Sequence, residues 1–177
     1  MIMENSFSIV KRYTRKIPVD LLALCNELNI GVVYEYLEDD ISGSIEKSET
    51  DDSDYTITVN ARDAWTRQRF TIAHELGHFL FHRSKIGDGI FDNRFYRHSS
   101  DRMNTEIDQR DETQANAFAA NLLMPSWYMR RNATNGMSPQ ELADIMIVSV
   151  AAVRVRLKTL IKEDRGRVRN LQETEEV

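Results

Sequence analysis

The chain has 177 residues, and its 23 lysines and arginines against 28 aspartates and glutamates give a formal charge of −5. With 41% apolar residues, this composition predicts one folded domain with at most a small appendage and excludes a mainly disordered chain. The longest apolar run, from Leu21 to Cys25, is far short of the ~20 residues that a membrane-spanning helix needs. The first residues also lack the basic and apolar segments of a signal peptide. We therefore expect a cytoplasmic protein with no membrane partner.

Cys25 is the only cysteine in the chain. A single thiol cannot form an intrachain disulfide and cannot build a thiolate cluster, which fits a reducing compartment. Any bound metal must therefore be held mainly by nitrogen and oxygen ligands.

The first third of the chain predicts one helix followed by a small sheet. Pro18 suits the first turn of a helix, and apolar residues at helical spacing continue to a stop at Gly31. Three short segments rich in β-branched and aromatic residues follow, separated by Asp, Ser and Gly. They cover residues 31–37, 43–47 and 55–60 and predict a small, antiparallel-rich sheet.

The rest of the chain predicts helices around one polar loop. Residues 63–82 and 105–124 alternate apolar and polar positions at helical spacing, and Pro125 ends the second of them. Residues 83–104 between them predict a loop with one strand, and long loops of this kind are often functional. Two shorter helices are predicted over residues 138–146 and 149–161.

The pentapeptide His74-Glu75-Leu76-Gly77-His78 is an H-E-x-x-H sequence inside the first long helix. At 100° per residue, His78 lies about 40° round the axis from His74 and one turn further along, so both imidazoles can reach one metal ion at ~2.0–2.1 Å. Glu75 lies about 100° round the axis from His74 and about 60° from His78, and it is well placed to touch a metal-bound water. That position is typical of a general base.

The opposite face of this helix supports the prediction of a buried, site-bearing helix. Four apolar residues fall on one stripe there: Ile72, Leu76, Phe79 and Leu80. Gly77 costs ~1 kcal/mol relative to alanine within a helix, and its expected reason is the close approach of a neighbouring backbone.

A catalytic zinc site usually has three protein ligands and one open position, so a third ligand should lie outside the pentapeptide. His82 is two turns from the first histidine, about 12 Å along the axis, and cannot share its metal; a solvent-facing or outer-shell role is expected for it. His98 remains a candidate ligand from the loop. The carboxylates that begin the second long helix are Asp108, Asp111 and Glu112. Glu112 is best placed among them, because small residues on its face let the two helices lie close together.

Two blocks of the sequence resemble the ImmA/IrrE family of metallo-endopeptidases. Residues 67–78 read RQRFTIAHELGH and residues 112–125 read ETQANAFAANLLMP. Asn60 and residues 95–97 also resemble the family sequence, so that the resemblance covers about residues 32–160. The resemblance implies that Glu112 is the third ligand and that the fold is zincin-like and α+β. It also implies cleavage of a helix-turn-helix repressor encoded nearby in a bacterial, phage or mobile-element genome.

The predicted organisation follows from this resemblance. We expect a zincin-like domain over residues 1–125, with a small antiparallel-rich sheet packed on the active-site helix. Residues 126–165 are expected to form a helical, helix-turn-helix-like region, and residues 166–177 a flexible tail. Residues 138–160 have the pattern of a helical pair with Arg154, Arg156 and Lys158 on the second helix. A hairpin that buttresses the protease or holds its substrate is the favoured interpretation, because the net charge of −5 does not favour nucleic-acid binding.

The expected mechanism is metal-assisted peptide hydrolysis with one zinc per chain, held by His74, His78 and Glu112. Zinc would lower the pKa of its water toward ~7, and Glu75 would act as base and then as acid toward the leaving amine. The candidates for stabilising the oxyanion come from the loop: Tyr96, Arg97 and His98. An exposed edge of the sheet is expected to bind the substrate as an added strand.

Two other functions stay open at this point. One is a transcription regulator that binds DNA through its C-terminal helices and keeps the metal site for sensing or stability. The other is an interaction protein that sequesters a repressor and carries a vestigial site. The presence of Glu75 argues against a vestigial site, because a structural zinc site normally fills all four positions and has no use for a base.

Overall fold

The computed structural model describes residues 5–48, 52–86, 90–93 and 107–175, with the backbone alone in 90–93 and 168–175. Four strands and seven α-helices are present within these residues. The strands are β1 (Ile30–Glu35), β2 (Ile41–Lys47), β3 (Tyr55–Asn60) and β4 (Ile90–Asn93); the helices are α1 (Ser6–Tyr13), α2 (Leu21–Glu27), α3 (Trp65–Phe81), α4 (Gln109–Leu123), α5 (Ser126–Thr134), α6 (Pro139–Met146) and α7 (Val150–Glu175). The predicted α+β class is confirmed. Tyr96, Arg97 and His98 lie outside the described residues.

The N-terminal region contains two helices where the sequence predicted one. Helix α1 precedes the predicted helix and is capped by the Asn5 side chain, which accepts a hydrogen bond from the Phe7 N–H. Helix α2 begins after Asp20, whose side chain accepts from the Ala23 N–H. Pro18 therefore lies before the N-cap residue of the helix and not in its first turn, so the predicted position of Pro18 was wrong.

The sheet has the order β1-β3-β2-β4 and is mixed. Strand β2 pairs antiparallel with β3 and with β4, whereas β1 pairs parallel with β3. The antiparallel-rich sheet is confirmed, and the parallel pair is a departure from an all-antiparallel one. At the end of β3 the buried Asn60 side chain donates to the carbonyl oxygens of Ile41 (2.7 Å) and Glu38 (3.2 Å). These bonds fasten the start of β2 to β3.

Helix α3 packs its apolar stripe against the sheet. Ile72, Leu76 and Phe79 are at most 3% exposed, and they belong to one core with the fully buried Ile45 and Ile57 of the sheet. Gly43 of β2 makes the approach possible at one point: a Cβ there would lie 2.5 Å from the Thr71 side chain of α3 and 2.5 Å from the Thr58 carbonyl oxygen. The predicted core face of α3 is thus confirmed.

Helix α4 lies against the other side of α3, and its start is well defined. Asp108 accepts from the N–H groups of Arg110 and Asp111, and Asp111 accepts in return from the Asp108 N–H, which forms a capping box. Ala115, Ala119 and Leu122 are buried. A Cβ at Gly77 would lie 2.9 Å from the Ala115 Cα, so the two helices approach each other as closely as the sequence predicted.

Three helices complete the chain. Helix α5 was not predicted, since its nine residues have little apolar periodicity and only Met129 is buried. Helix α6 has the Ser138 capping box and ends at Ile147, which takes a left-handed conformation with φ 55°. Helix α7 continues beyond the predicted end at Ile161 to Glu175. No helix in the described part of the chain is long and apolar enough to cross a membrane.

Candidate metal centre

Three buried side chains from α3 and α4 converge on one point. The Nε2 atoms of His74 and His78 are 3.0 Å apart. Each also lies 3.3 Å from a carboxylate oxygen of Glu112. The histidines come from successive turns of α3, and Glu112 comes from the first turn of α4. The structure thus brings together the three residues that the sequence analysis selected, and each is at most 5% exposed.

The arrangement fits a cation with tetrahedral coordination. Bonds of ~2.0–2.2 Å at tetrahedral angles separate ligand atoms by roughly 3.3–3.6 Å. Here the two imidazole nitrogens lie 3.0 Å apart, and each is 3.3 Å from a different oxygen of the Glu112 carboxylate. This donor set is one that zinc takes in catalytic sites, and it leaves room for a fourth ligand.

The surroundings favour the protonation forms that bind a metal. Burial lowers the pKa of His78 and so favours its neutral imidazole, although the hydrogen bond to Glu112 acts in the other direction. Burial by itself would raise the pKa of Glu112. The hydrogen bonds and charges of the two histidines outweigh it and lower the pKa of Glu112 to about 2. Neutral imidazole and ionised carboxylate are the ligand forms.

Glu75 follows His74 on α3 and is fully buried. A buried carboxylate is shielded from bulk water, which strengthens its interactions with any polar group that enters the site. The role of Glu75 as general base stays a prediction, supported by its place on α3 directly after His74.

Both histidines have a partner for the ring nitrogen that faces away from the centre. The Nδ1 of His74 is 3.1 Å from the Asn116 Oδ1, and the Nδ1 of His78 is 3.0 Å from the Nδ1 of His82. His82 is 4% exposed and therefore is not the solvent-facing residue that was one prediction for it. Sequence reasoning missed the role of Asn116, and its four-residue spacing from Glu112 was the available signal.

Two of the other carboxylates considered as ligands lie elsewhere. Asp108 caps α4, and Asp111 contacts His82 at 3.2 Å and Lys85 at 2.5 Å. Asn116, on the same helix, is exposed. The exposed Asn116 stands at the rim of the centre.

A groove of about 430 Å³ opens next to the centre, between α4 and α7. Phe70, whose ring stacks near that of His74 at 6.4 Å, lines it together with Asn116. Met124, Ala152 and Val155 add apolar surface. The groove leads from solvent to the neighbourhood of His74.

The fold and the site together are typical of a metallopeptidase domain. A helix with two ligand-type histidines and a buried glutamate packs on a small mixed sheet, and a second helix supplies a third buried donor. The Peptidase M78 family model, described as IrrE N-terminal-like domain, matches residues 25–158. The chain belongs to this family, which confirms the resemblance drawn from the two sequence blocks.

The other comparisons bear on the fold. None of the curated proteins compared with the chain matches it. Among solved structures, a Mycobacterium tuberculosis transcriptional regulator is similar with a TM-score of 0.53 and 18% sequence identity, over 84% of this chain and 44% of that chain. The chain therefore spans less than half of that regulator's length. At this identity the likeness shows a shared fold.

Proposed function

We propose that this protein is a zinc-dependent endopeptidase in which His74, His78 and Glu112 hold one zinc ion per chain and Glu75 transfers protons. The observation that carries the proposal is the convergence of three buried side chains: the Nε2 atoms of the two histidines lie 3.0 Å apart, and each is 3.3 Å from an oxygen of Glu112. Glu75, fully buried one residue after the first ligand, adds a group that a purely structural site would not need.

The chemistry divides between the metal and the chain. A bound zinc ion supplies a Lewis acid that polarises the scissile carbonyl and acidifies a water. The carboxylate of Glu75 removes a proton from the attacking water and later donates it to the nitrogen of the leaving amine. Burial of the two imidazoles and of Glu112 limits competing water and holds the donors in place.

A protein substrate follows from the peptidase family, and we propose a helix-turn-helix repressor whose cleavage relieves repression. The resemblance to the ImmA/IrrE family supports this choice. The structural likeness to a transcriptional regulator is compatible with it. The groove lined by Phe70, Met124 and Val155 offers apolar surface for substrate side chains near the metal centre. Such a protein would act as an anti-repressor of a phage or mobile element. A chain with one thiol and no possible intrachain disulfide fits the reducing cytoplasm.

A second function is a DNA-binding or repressor-sequestering regulator that keeps the metal site for sensing or structure. The observation in its favour is the packing of α6 against α7, with Arg154 and Lys158 exposed on α7. Salt-dependent, sequence-specific DNA binding by the purified chain would favour it over the peptidase.

The peptidase proposal is tested with the helix-turn-helix regulator encoded beside the gene. The zinc-loaded protein should cut it into defined fragments, and a chelator should stop the reaction. Glu75→Gln should abolish cleavage while the zinc content stays near one per chain, because it removes the proton acceptor and no ligand. Asp52→Asn, in the exposed turn before β3, is the matched control and should cleave normally. Full cleavage by Glu75→Gln would refute the assigned role.

The ligand role of Glu112 is tested by zinc content. Glu112→Ala should lose most of its zinc during dialysis, because a buried carboxylate donor is removed. Asp108→Asn keeps the helix cap and should retain zinc like the parent. Unchanged zinc in Glu112→Ala would move the third ligand to Asp108, Asp111 or His98.

A further inference from the structure

His82 continues the row of histidines on α3, one turn beyond His78. It is 4% exposed, and its Nδ1 faces the Nδ1 of His78 at 3.0 Å. On the other side of the ring, its Nε2 lies 3.1 Å from the Gln114 Oε1 and 3.2 Å from the Asp111 Oδ1. His82 thus links a candidate metal ligand to two oxygen acceptors on α4.

Only one proton can sit between the two facing Nδ1 atoms. The Nε2 of His78 is the atom that faces His74 and Glu112, so it must offer a lone pair to a metal. The proton of neutral His78 then resides on Nδ1 and is donated to His82. His82 must accept at Nδ1, and its own proton is placed on Nε2, where the two oxygens can receive it.

The opposite arrangement, in which His82 carries its proton on Nδ1 and donates it to His78, is unfavourable. His82 with its proton on Nδ1 would turn the lone pair of Nε2 toward the Asp111 carboxylate and the Gln114 oxygen, leaving acceptor against acceptor. Asp111 is itself fixed, since it accepts from the Lys85 ammonium at 2.5 Å and from the Asp108 N–H at 3.0 Å. This anchored carboxylate sets the direction of the chain of hydrogen bonds.

We propose that His82 is a positioning residue, which holds His78 in the tautomer and orientation that present its Nε2 lone pair to the metal. The hydrogen-bond chain runs from His78 through His82 to Asp111 and ends at Lys85. The inference rests on the metal-binding part of the proposed function and is independent of peptide cleavage. His74 is held differently, since its Nδ1 lies 3.1 Å from the amide oxygen of the exposed Asn116.

Three substitutions separate the two contacts of His82. In His82→Asn, the amide oxygen lies near the former Nδ1 and can still accept from His78. In His82→Gln, the amide reaches toward the former Nε2 and keeps the contact with Asp111 and Gln114. His82→Leu removes both contacts. Zinc affinity is measured by competition with a chromophoric chelator, and the tautomer of His82 by imidazole ¹⁵N shifts of the zinc-loaded parent.

We expect the zinc dissociation constant to rise by about 10- to 100-fold in His82→Leu and in His82→Gln, and by no more than about threefold in His82→Asn. The ¹⁵N shifts should show the His82 proton on Nε2 and a lone pair on its Nδ1. If His82→Leu fails to fold, the Asn and Gln variants decide the question. Equal zinc affinity across the variants, or a His82 proton on Nδ1 in the zinc-loaded parent, would overturn the proposal. A parent protein that binds no zinc would overturn the proposed metal centre, and this inference with it.

Discussion

Burial controls the chemistry of this protein at the scale of single residues. The interior that lowers the pKa of His78 also encloses Glu112, and only the adjacent imidazoles keep that carboxylate ionised. Two imidazole nitrogens and a carboxylate are also a donor set that a zinc ion takes in catalytic sites. The residues therefore favour a bound metal by their mutual geometry as well as by their types.

Cys25 shows the same effect on a group outside the site. Its thiol is fully buried in α2, and burial raises its pKa to about 12 from an ordinary value of 9.0. The native protein at pH 8 should therefore react with a thiol reagent at least about 100-fold more slowly than the protein in urea, because reaction needs both exposure and the thiolate.

The same pKa predicts a pH dependence of stability. The folded state holds the thiol proton more tightly than the unfolded chain, so the contribution of Cys25 is complete below pH 9.0 and is lost as the pH rises toward about 12. Between pH 8 and 10.5 the urea midpoint of the parent should fall more than that of Cys25→Ala. Parallel decreases in both proteins would contradict the buried thiol.

At the scale of elements, the distance between α3 and α4 decides whether a metal centre exists. Glu112 reaches the histidines because Gly77 lets the Ala115 backbone come within van der Waals contact. The sequence analysis predicted this closeness from a helical glycine and from the small residues facing it. Hydrophobic periodicity alone could not supply the spacing, since it says which face is buried and not how near the neighbour lies.

Replacing Gly77 with alanine should separate the two helices. Alanine gains ~1 kcal/mol of helix propensity, but a Cβ 2.9 Å from the Ala115 Cα forces the backbone of α4 to move, at a cost of ~1–3 kcal/mol. We expect a net loss in the free energy of unfolding and a lower zinc affinity. Both are measured on one sample by denaturant unfolding and chelator competition.

Gly166 in α7 provides the matched control, because nothing lies within 4 Å of a Cβ built there. Gly166→Ala should stabilise the protein by up to ~1 kcal/mol and leave zinc affinity unchanged. A stabilising Gly77→Ala would show that α4 can yield without cost, and the packing argument would then be wrong.

At the scale of the whole molecule, α7 connects the C-terminal helices to the metallopeptidase core. Arg156 is 5% exposed and donates hydrogen bonds to the Met124 carbonyl oxygen at the end of α4 and to the Asn121 side chain. A boundary at residue 125, with a separate region over residues 126–165, stays a prediction. So does the flexibility of residues 166–177, where the backbone is helical to Glu175.

Removing the Arg156 side chain should weaken this connection. Arg156→Met keeps the apolar stem but leaves the buried Met124 carbonyl oxygen without this donor, so we expect a loss of ~1–3 kcal/mol in the free energy of unfolding. Arg154→Met, at an exposed position of the same helix, should change stability by less than ~0.5 kcal/mol. Equal effects of the two substitutions in urea denaturation would contradict the structural role of Arg156.

The sequence by itself determined what depends on local spacing. The two histidines one turn apart with Glu75 beside them and the core stripe of α3 both follow from the 3.6-residue period of a helix. The N-terminal region was predicted less well. Helix α1 was missed because the exposed helix has only two buried residues, Ile9 and Val10, to show a period.

The tertiary structure decided what depends on contacts between distant segments. Glu112 meets the histidines across 34 residues of chain, β1 pairs parallel with β3, and His82 finds Asp111 and Gln114 on another helix. Each of these contacts is set by how closely two packed elements approach. That distance depends on the side-chain volumes of both packed elements. The hydrophobic periodicity of one segment therefore does not predict it.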